Sequence, residues 1–342
     1  MSVTRQLVRW TRSVILTAVA VVWFSSSLTA QDVTFFRIGT GSTSGTYFPI
    51  GTLIGSTITG PPGSRPCEEG GSCGVPGLIA AAQTTRGSVA NIRSVLSGQL
   101  ESALAQSDLV YAAYYGTGVF EKKPTAGKSL RVIANLYPED VHLIVRKNIG
   151  ISSVADLKDK RVSIDLPGSG TRQNAKNILK AYGITTADYV AVEANSDKAL
   201  SLLRKGELDA FFFIAGYPVV AVAELADAGL IELLPIAGGK ADEIINLYEF
   251  FSASTIPDGT YKGLGAIPTL AVSTQWVVNA TLADDLAFGI ASSLWHPRNR
   301  VLLDSGHSKG KLIQYETARK GVGIPIHPGA TKFYRQRDEV AE

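Results

Sequence analysis

Val33-Thr34-Phe35-Phe36-Arg37-Ile38-Gly39-Thr40-Gly41-Ser42-Thr43-Ser44-Gly45-Thr46-Tyr47-Phe48-Pro49-Ile50 passes from an apolar run through a turn of glycines and hydroxyls into residues spaced for a helix. Residues 33–38 read as a strand, and Tyr47, Ile50, Ile54 and Ile58 fall at near-helical spacing. The same order recurs. Residues 101–106 and 130–136 read as strands, and Val89, Ile92, Val95 and Leu96 mark a helix that Gly98 stops. A second set starts with a strand near 141–146 and another at 162–165. The turn Pro167-Gly168-Ser169-Gly170 follows, then a helix marked by Ala175, Ile178, Leu179 and Tyr182 and ended by Gly183. Strands at 188–192 and 209–214 alternate with helices at 198–205 and 219–228, the latter with Pro218 at its first turn. A strand near 269–278 and helices near 283–294 and 296–304 complete the chain. Such alternation predicts an α/β fold with two mostly parallel sheets flanked by helices. Crossings near Tyr137 and Thr269 imply two lobes and a hinge: 31–137 plus 268–342 in one lobe, 138–267 in the other.

The first thirty residues carry Arg5, Arg9 and Arg12, then an apolar run from Val14 to Phe24, then small residues ending at Ala30. That order is a secretory signal, and the apolar run is shorter than the roughly 20 residues that span a bilayer. The 342 residues include 33 basic and 30 acidic side chains. Cleavage after Ala30 removes three Arg and no acid, so the mature chain is formally neutral. No basic block is left to serve as a nucleic-acid footprint, and nucleic acid is not an expected partner. The apolar stretch 210–223 is broken by Gly216-Tyr217-Pro218 and too short to cross a membrane.

Cys67 and Cys73, the two cysteines, stand six apart in a Gly/Pro-rich insert. Outside the cytoplasm they are expected to form a disulfide that staples a loop. A metal site is the alternative, but two thiolates do not make the usual four-ligand zinc site and no histidine is near in sequence. The four histidines are scattered, no nucleophile elbow or metal spacing is present, and neither catalytic residue, metal nor cofactor is expected. Gly39-Thr40-Gly41-Ser42-Thr43-Ser44-Gly45 nearly matches a dinucleotide fingerprint, but Ser44 replaces the third glycine and no acid closes a second strand, so NAD is rejected. What remains is backbone N–H groups and hydroxyls at a helix start, a cradle for an anion; a plain turn whose Ser and Thr cap the helix is the alternative. Pro167-Gly168-Ser169-Gly170-Thr171 repeats the device. Two cradles facing each other across a cleft suit a small organic acid, and Arg86 is a possible partner for its carboxylate. The hydroxyls of Ser169 and Thr171 are expected to serve the ligand rather than the fold.

Nine runs in order resemble one family. They are Phe35-Phe36-Arg37-Ile38-Gly39-Thr40-Gly41, Gly45-Thr46-Tyr47-Phe48-Pro49, Gly87-Ser88-Val89-Ala90-Asn91-Ile92, Ala105-Gln106-Ser107-Asp108, Leu136-Tyr137-Pro138-Glu139, Val154-Ala155-Asp156-Leu157-Lys158, Pro167-Gly168-Ser169-Gly170-Thr171, Gly259-Thr260-Tyr261-Lys262-Gly263 and Ile326-His327-Pro328-Gly329-Ala330. Over residues 33–337 the chain is similar to the TAXI family of TRAP-transporter solute receptors, and to its immunogenic-protein members in particular. The resemblance implies a two-lobed periplasmic-binding-protein-like fold and a periplasmic receptor that is not an enzyme. It also implies integral membrane TRAP subunits as partners and glutamate or a C4–C5 dicarboxylate as ligand. Carried over by motif, the contacts are Thr43, Gly45, Thr46, Tyr47, Gln106, Ser169, Gly170, Thr171 and Tyr217. A monomer is expected.

An exported sensor or surface-interaction protein on the same fold is the rival, and an exported enzyme a more distant one. The first would bind an acid yet show no dependence on a membrane transport partner, and the second would turn over a bound acid. N-terminal sequencing of the protein recovered from the cell envelope is expected to begin at or near Gln31; finding Met1 on soluble protein overturns the export reading.

Overall fold

The computed structural model describes residues 33–122 and 125–341, so the segment expected to direct export, 1–30, lies outside the described residues. Among the described residues the strands are β1 (Thr34–Gly39), β2 (Thr59–Gly60), β3 (Val75–Pro76), β4 (Leu78–Gln83), β5 (Ser102–Gln106), β6 (Leu130–Arg146), β7 (Arg161–Ser163), β8 (Val190–Ala191), β9 (Ala210–Ala215), β10 (Ile231–Leu234), β11 (Ser252–Ile256) and β12 (Ile267–Asn279). Their hydrogen-bonded order is β3-β2-β4-β1-β5-β12-β6-β9-β7-β8, with β10 added to β6 and β11 to β12. Two parallel groups, β4-β1-β5 and β9-β7-β8, flank a long antiparallel pair, β12 with β6. The strands expected at 130–136 and near 141–146 are one 17-residue strand, so the two groups share a continuous sheet path. Pro138 does not break it, because the ladder to β12 shifts register between Ser273 and Gln275 at that point. A bulge accommodates a residue without an N–H.

Helices α1 (Tyr47–Ile58), α2 (Ser88–Leu96), α3 (Ser107–Tyr115), α4 (Gly170–Ala181), α5 (Ser196–Arg204), α6 (Val220–Asp227), α7 (Gly239–Leu247), α8 (Asp284–Leu294), α9 (Arg300–Gly306) and α10 (Pro328–Ala341) cover the strands. The packing follows the two periodicities of the chain. On α1, Tyr47, Ile50, Ile54 and Ile58 are buried; on α4, Ala175, Ile178 and Leu179. In β5, Leu104 joins one apolar cluster while Ala103 and Ala105 join another across the sheet; Trp276 and Val278 part from Val277 in the same way. β9 is buried at every position: Phe212 and Ile214 face one cluster, Phe211 and Phe213 the other. A strand covered on both faces reads as a continuous apolar run, which is what 210–215 shows.

Inside β6 two consecutive acids, Glu139 and Asp140, are both buried. Asp140 meets Nζ of Lys309 at 2.9 Å, with both side chains almost wholly shielded. Ser254 Oγ donates to the same carboxylate at 2.6 Å, and the ammonium lies 3.6 Å from the centroid of the Tyr217 ring. Burial holds the Lys309 amine below its ordinary pKa, opposed by Asp140. Beside them, His142 Nδ1 is 2.9 Å from the Asp140 carbonyl and Nε2 is 2.9 Å from Tyr261 Oη. Burial pushes His142 down to about 4, so the ring is neutral at pH 7. A carbonyl only accepts; Nδ1 therefore carries the proton, and Nε2 accepts from Tyr261. Tyr261 in turn accepts the Val219 N–H at 3.0 Å.

Cys67 and Cys73 form the expected disulfide. His296 is brought to 3.6 Å from Cys67 Sγ, although 229 positions separate them, so a histidine does lie near the pair in space. With both sulfurs in the bond, neither is a thiolate.

Removing one member of a buried ion pair strands the other charge. Lys309→Met is expected to lower unfolding stability by about 3–5 kcal/mol, and adding Asp140→Asn is expected to restore part of it, both read by urea denaturation. A single-variant loss no larger than that of an exposed lysine contradicts this account of the pair.

Candidate functional site

Five helices begin where parallel strands end: α1 after β1, α2 after β4, α3 after β5, α4 after β7 and α5 after β8. Open α/β sheets place ligands beyond the carboxyl ends of their strands. Here one cavity lies against all five starts, because Thr46, Gly87, Gln106, Ser169 and Asn195, the residues that precede the five helices, all line it. The cavity itself holds about 100 Å³, and about 640 Å³ when the open solvent at its mouth is included. Four of the five starts have no side-chain cap; only Asn195 caps its own helix, accepting from the Lys198 N–H. First-turn N–H groups without partners carry the positive end of the helix dipole, although at α2 the Ala90 N–H is taken by the Gly168 carbonyl.

Turns from the two parallel strand groups touch across this cavity. Ser196 Oγ stands 2.7 Å from Ser42 Oγ and 2.9 Å from Ser44 Oγ. The Ala90 N–H donates to the Gly168 carbonyl at 3.0 Å, and Thr46 Oγ1 donates to the Gly216 carbonyl at 2.6 Å. Gly168 needs its φ of +100°, a conformation that side chains with a Cβ rarely adopt. Gly170 is required for a different reason: a Cβ there would collide with Gln106 Oε1 and Ser88 Oγ.

Of the residues expected from sequence, Gly45, Thr46, Tyr47, Gln106, Ser169, Gly170 and Thr171 line the cavity, and so does Arg86. Thr43 is exposed at the turn and Tyr217 lies under the Lys309 ammonium; neither is among the lining residues. Arg86 is exposed, and among the described residues no ion pair engages it. Thr171 Oγ1 is already taken, accepting the buried Ile214 N–H at 3.1 Å, so this hydroxyl serves the fold as well. Ser169 Oγ donates to Asp165 at 2.7 Å.

Sequence reasoning missed two acids. Asp165 has a positive φ of 74°, a conformation Asp tolerates better than most. Its carboxyl accepts from the Leu166 N–H at 2.6 Å, and burial pushes its pKa up. Glu139 is 1% exposed and accepts from Tyr47 Oη at 3.2 Å. Burial pushes it up to about 8, against the pull of Gln106, Thr274 and Tyr47. Asp108, at the start of α3, is pushed up to about 6 by burial. A signal for Glu139 was present: two adjacent acids inside a mostly apolar strand.

A family model described as NMT1-like matches residues 38–337. The chain belongs to the NMT1-like family. Among solved structures, this NMT1-like chain is similar to a protein of Bordetella bronchiseptica RB50, at 16% identity over 88% of this chain and 82% of that one, with a TM-score of 0.51. It is also similar to a protein described as a periplasmic transporter, at 13% identity over 90% and 96%, with a TM-score of 0.50. An ancestral arginine-binding protein bound to arginine aligns at 15% identity over 81% and 98%, with a TM-score of 0.47. At such identities the likeness is one of fold: this NMT1-like chain has the α/β periplasmic-binding-protein-like fold, a mixed sheet with flanking helices.

Leaving a buried donor unmatched costs about 1–3 kcal/mol. Thr171→Val removes the acceptor of the Ile214 N–H without changing shape and is expected to destabilise the protein by about that amount. Thr171→Ser keeps the oxygen and is expected to stay close to the parent in urea midpoint. Equal midpoints for both variants contradict the assignment.

Proposed function

We propose that this NMT1-like protein is a periplasmic solute-binding receptor whose ligand is a small organic anion, glutamate or a C4–C5 dicarboxylate, held in the cavity above the strand ends. One observation carries the reading: five helix starts, four without side-chain caps, line a single cavity. Backbone N–H groups at helix starts, backed by the dipole, favour a negative group. Thr46, Tyr47, Gln106, Ser169 and Gly170 then supply hydroxyls, an amide and backbone donors, and Arg86 a cation at the side of the site. Asp165 and Glu139 belong to the same wall and repel carboxylates wherever they are ionised.

The reading treats the chain as a binder, not a catalyst; no histidine or cysteine is among the cavity's lining residues. Residues 31–137 with 268–342 form one lobe and 138–267 the other, and a ligand bridging both favours closure because it touches both only in the closed form. The closed receptor delivers its ligand to membrane subunits of the TRAP type, in keeping with the TAXI-like motifs. The Ser42, Ser44 and Ser196 contacts are those of the closed form.

Thermal-shift screening of glutamate, dicarboxylates, monocarboxylates and neutral sugars is expected to rank glutamate and C4–C5 dicarboxylates first. At a hundred times Kd the ligand stabilises the fold by about 2.7 kcal/mol, and small-angle scattering is expected to record compaction. Stabilisation by sugars alone, or tight binding of an acid without compaction, sinks the reading.

A further inference from the structure

Glu139 is the group that the anion reading leaves unexplained. Glu139 lines the cavity and is 1% exposed, its carboxyl contacts the Tyr47 hydroxyl of the same wall, and among the described residues no cation is in ion-pair contact with it. The cation closest in kind, Lys309, is committed to Asp140. Strand neighbours face opposite ways, so Asp140 takes the lysine on one side and Glu139 meets the cavity on the other. Lys309 lies within electrostatic reach of Glu139 but is paired with Asp140, and the groups packed directly against Glu139 are neutral or acidic. From α1 comes Tyr47 Oη, at 3.2 Å; from α3 come Gln106 at its start and Asp108. From β12 comes Thr274, the residue at the bulge, and from β6 itself Tyr137. Among the described residues, the hydroxyls of Tyr137 and Thr274 are both buried and have no partner in good hydrogen-bond geometry, although Thr274 lies near enough to Glu139 to act on it. The remaining charged groups of the cavity are Arg86, which is exposed, and Asp165, which is held by Leu166 and Ser169.

A buried carboxylate without a cation is far costlier than the neutral acid. A protonated acid in a cavity is a hydrogen-bond donor, and a ligand carboxylate is an acceptor that strengthens such a bond. We propose that Glu139 is a specificity-determining residue that binds the ligand as a neutral acid, donating its proton in a hydrogen bond to a ligand carboxylate, so that anion binding is linked to protonation of the receptor. The proposal rests on the reading of the ligand as an organic acid. It does not follow from that reading, since a site built of backbone donors alone binds the same acid without any proton link.

The linkage has a definite sign. The free protein holds the proton below about pH 8, and a ligand carboxylate keeps it bound to higher pH. Affinity is therefore flat from mildly acidic to neutral pH and falls as pH rises beyond the free protein's value, with one proton taken up on binding there.

The test is calorimetric titration of the full mature protein with L-glutamate, and with glutarate as an acid lacking an ammonium, from about pH 7 to about pH 9, in buffers of differing ionisation enthalpy. The expected result is a Kd about tenfold weaker at the upper pH, with proton uptake approaching one. E139Q, which keeps a donor but cannot titrate, is expected to bind at neutral pH and to lose most of the pH dependence. Infrared spectra of the ligand-free protein give a second measure that needs no binding. They are expected to show a carboxylic-acid band at neutral pH that is absent in E139Q and bleaches at alkaline pH. A flat Kd across the range, an affinity that rises with pH, or the absence of that band overturns the proposal while leaving the receptor reading standing. Failure of both acids to bind at every pH removes the receptor reading, and the proposal with it.

Discussion

The ion pair between Asp140 and Lys309 is shielded from water on both sides, and the geometry of the site depends on it. A charge so placed is tolerable only with its partner in contact, so the segment carrying Lys309 is bound to the middle of β6. The lysine then supports the Tyr217 ring, and Ser308 Oγ holds the Tyr217 carbonyl at 2.9 Å. Thr46, at the start of α1, closes on the adjacent Gly216. The pair thereby sets the register of turns that come from opposite ends of the sheet. Because side chains alternate along a strand, it also turns Glu139 toward the cavity.

On the anion-receptor reading proposed above, the cavity wall relies mainly on backbone for attraction to its ligand. Helix starts deliver partial charges that neither titrate nor change rotamer, whereas buried arginines would each demand a counter-ion in the empty site. The acids present fit this scheme because burial lifts both Glu139 and Asp165 toward the neutral form. Hydroxyls and amides at Thr46, Tyr47, Gln106 and Ser169 supply direction rather than charge.

Much of this was legible in the sequence where the signal is local. Helical spacing on 47–58 and the turns before Tyr47 and Gly170 located two of the turns that line the cavity, and the apolar run 210–215 located a central strand. What failed to show was long-range. The strand at 130–146 read as two, one on each side of Pro138, and the bulge in its partner lets it continue through that residue. Helix α3 was missed because Gln106-Ser107-Asp108 reads as a polar strand terminus as easily as a helix start. The C-terminal helix α10 was passed over, although Tyr334 packs in the core there. Tyr217, carried over by motif as a ligand contact, lies under the Lys309 ammonium and outside the residues that line the cavity, a placement that no local pattern in the sequence reveals. Glu139 was quoted within a motif yet not weighed, since one sequence does not reveal which acids are buried.

The ends of the sheet carry a further consequence. The main path of strands finishes at both extremes in a strand of only two residues, β3 at one and β8 at the other. β3 contains Pro76, which has no N–H to offer, and the loop beside it is cross-linked by Cys67 and Cys73. A longer bare edge would be a template on which a second chain could add a strand, the first step toward aggregation. At these two ends the template is too short to propagate, and the protein can accumulate at high concentration without its copies polymerising through them.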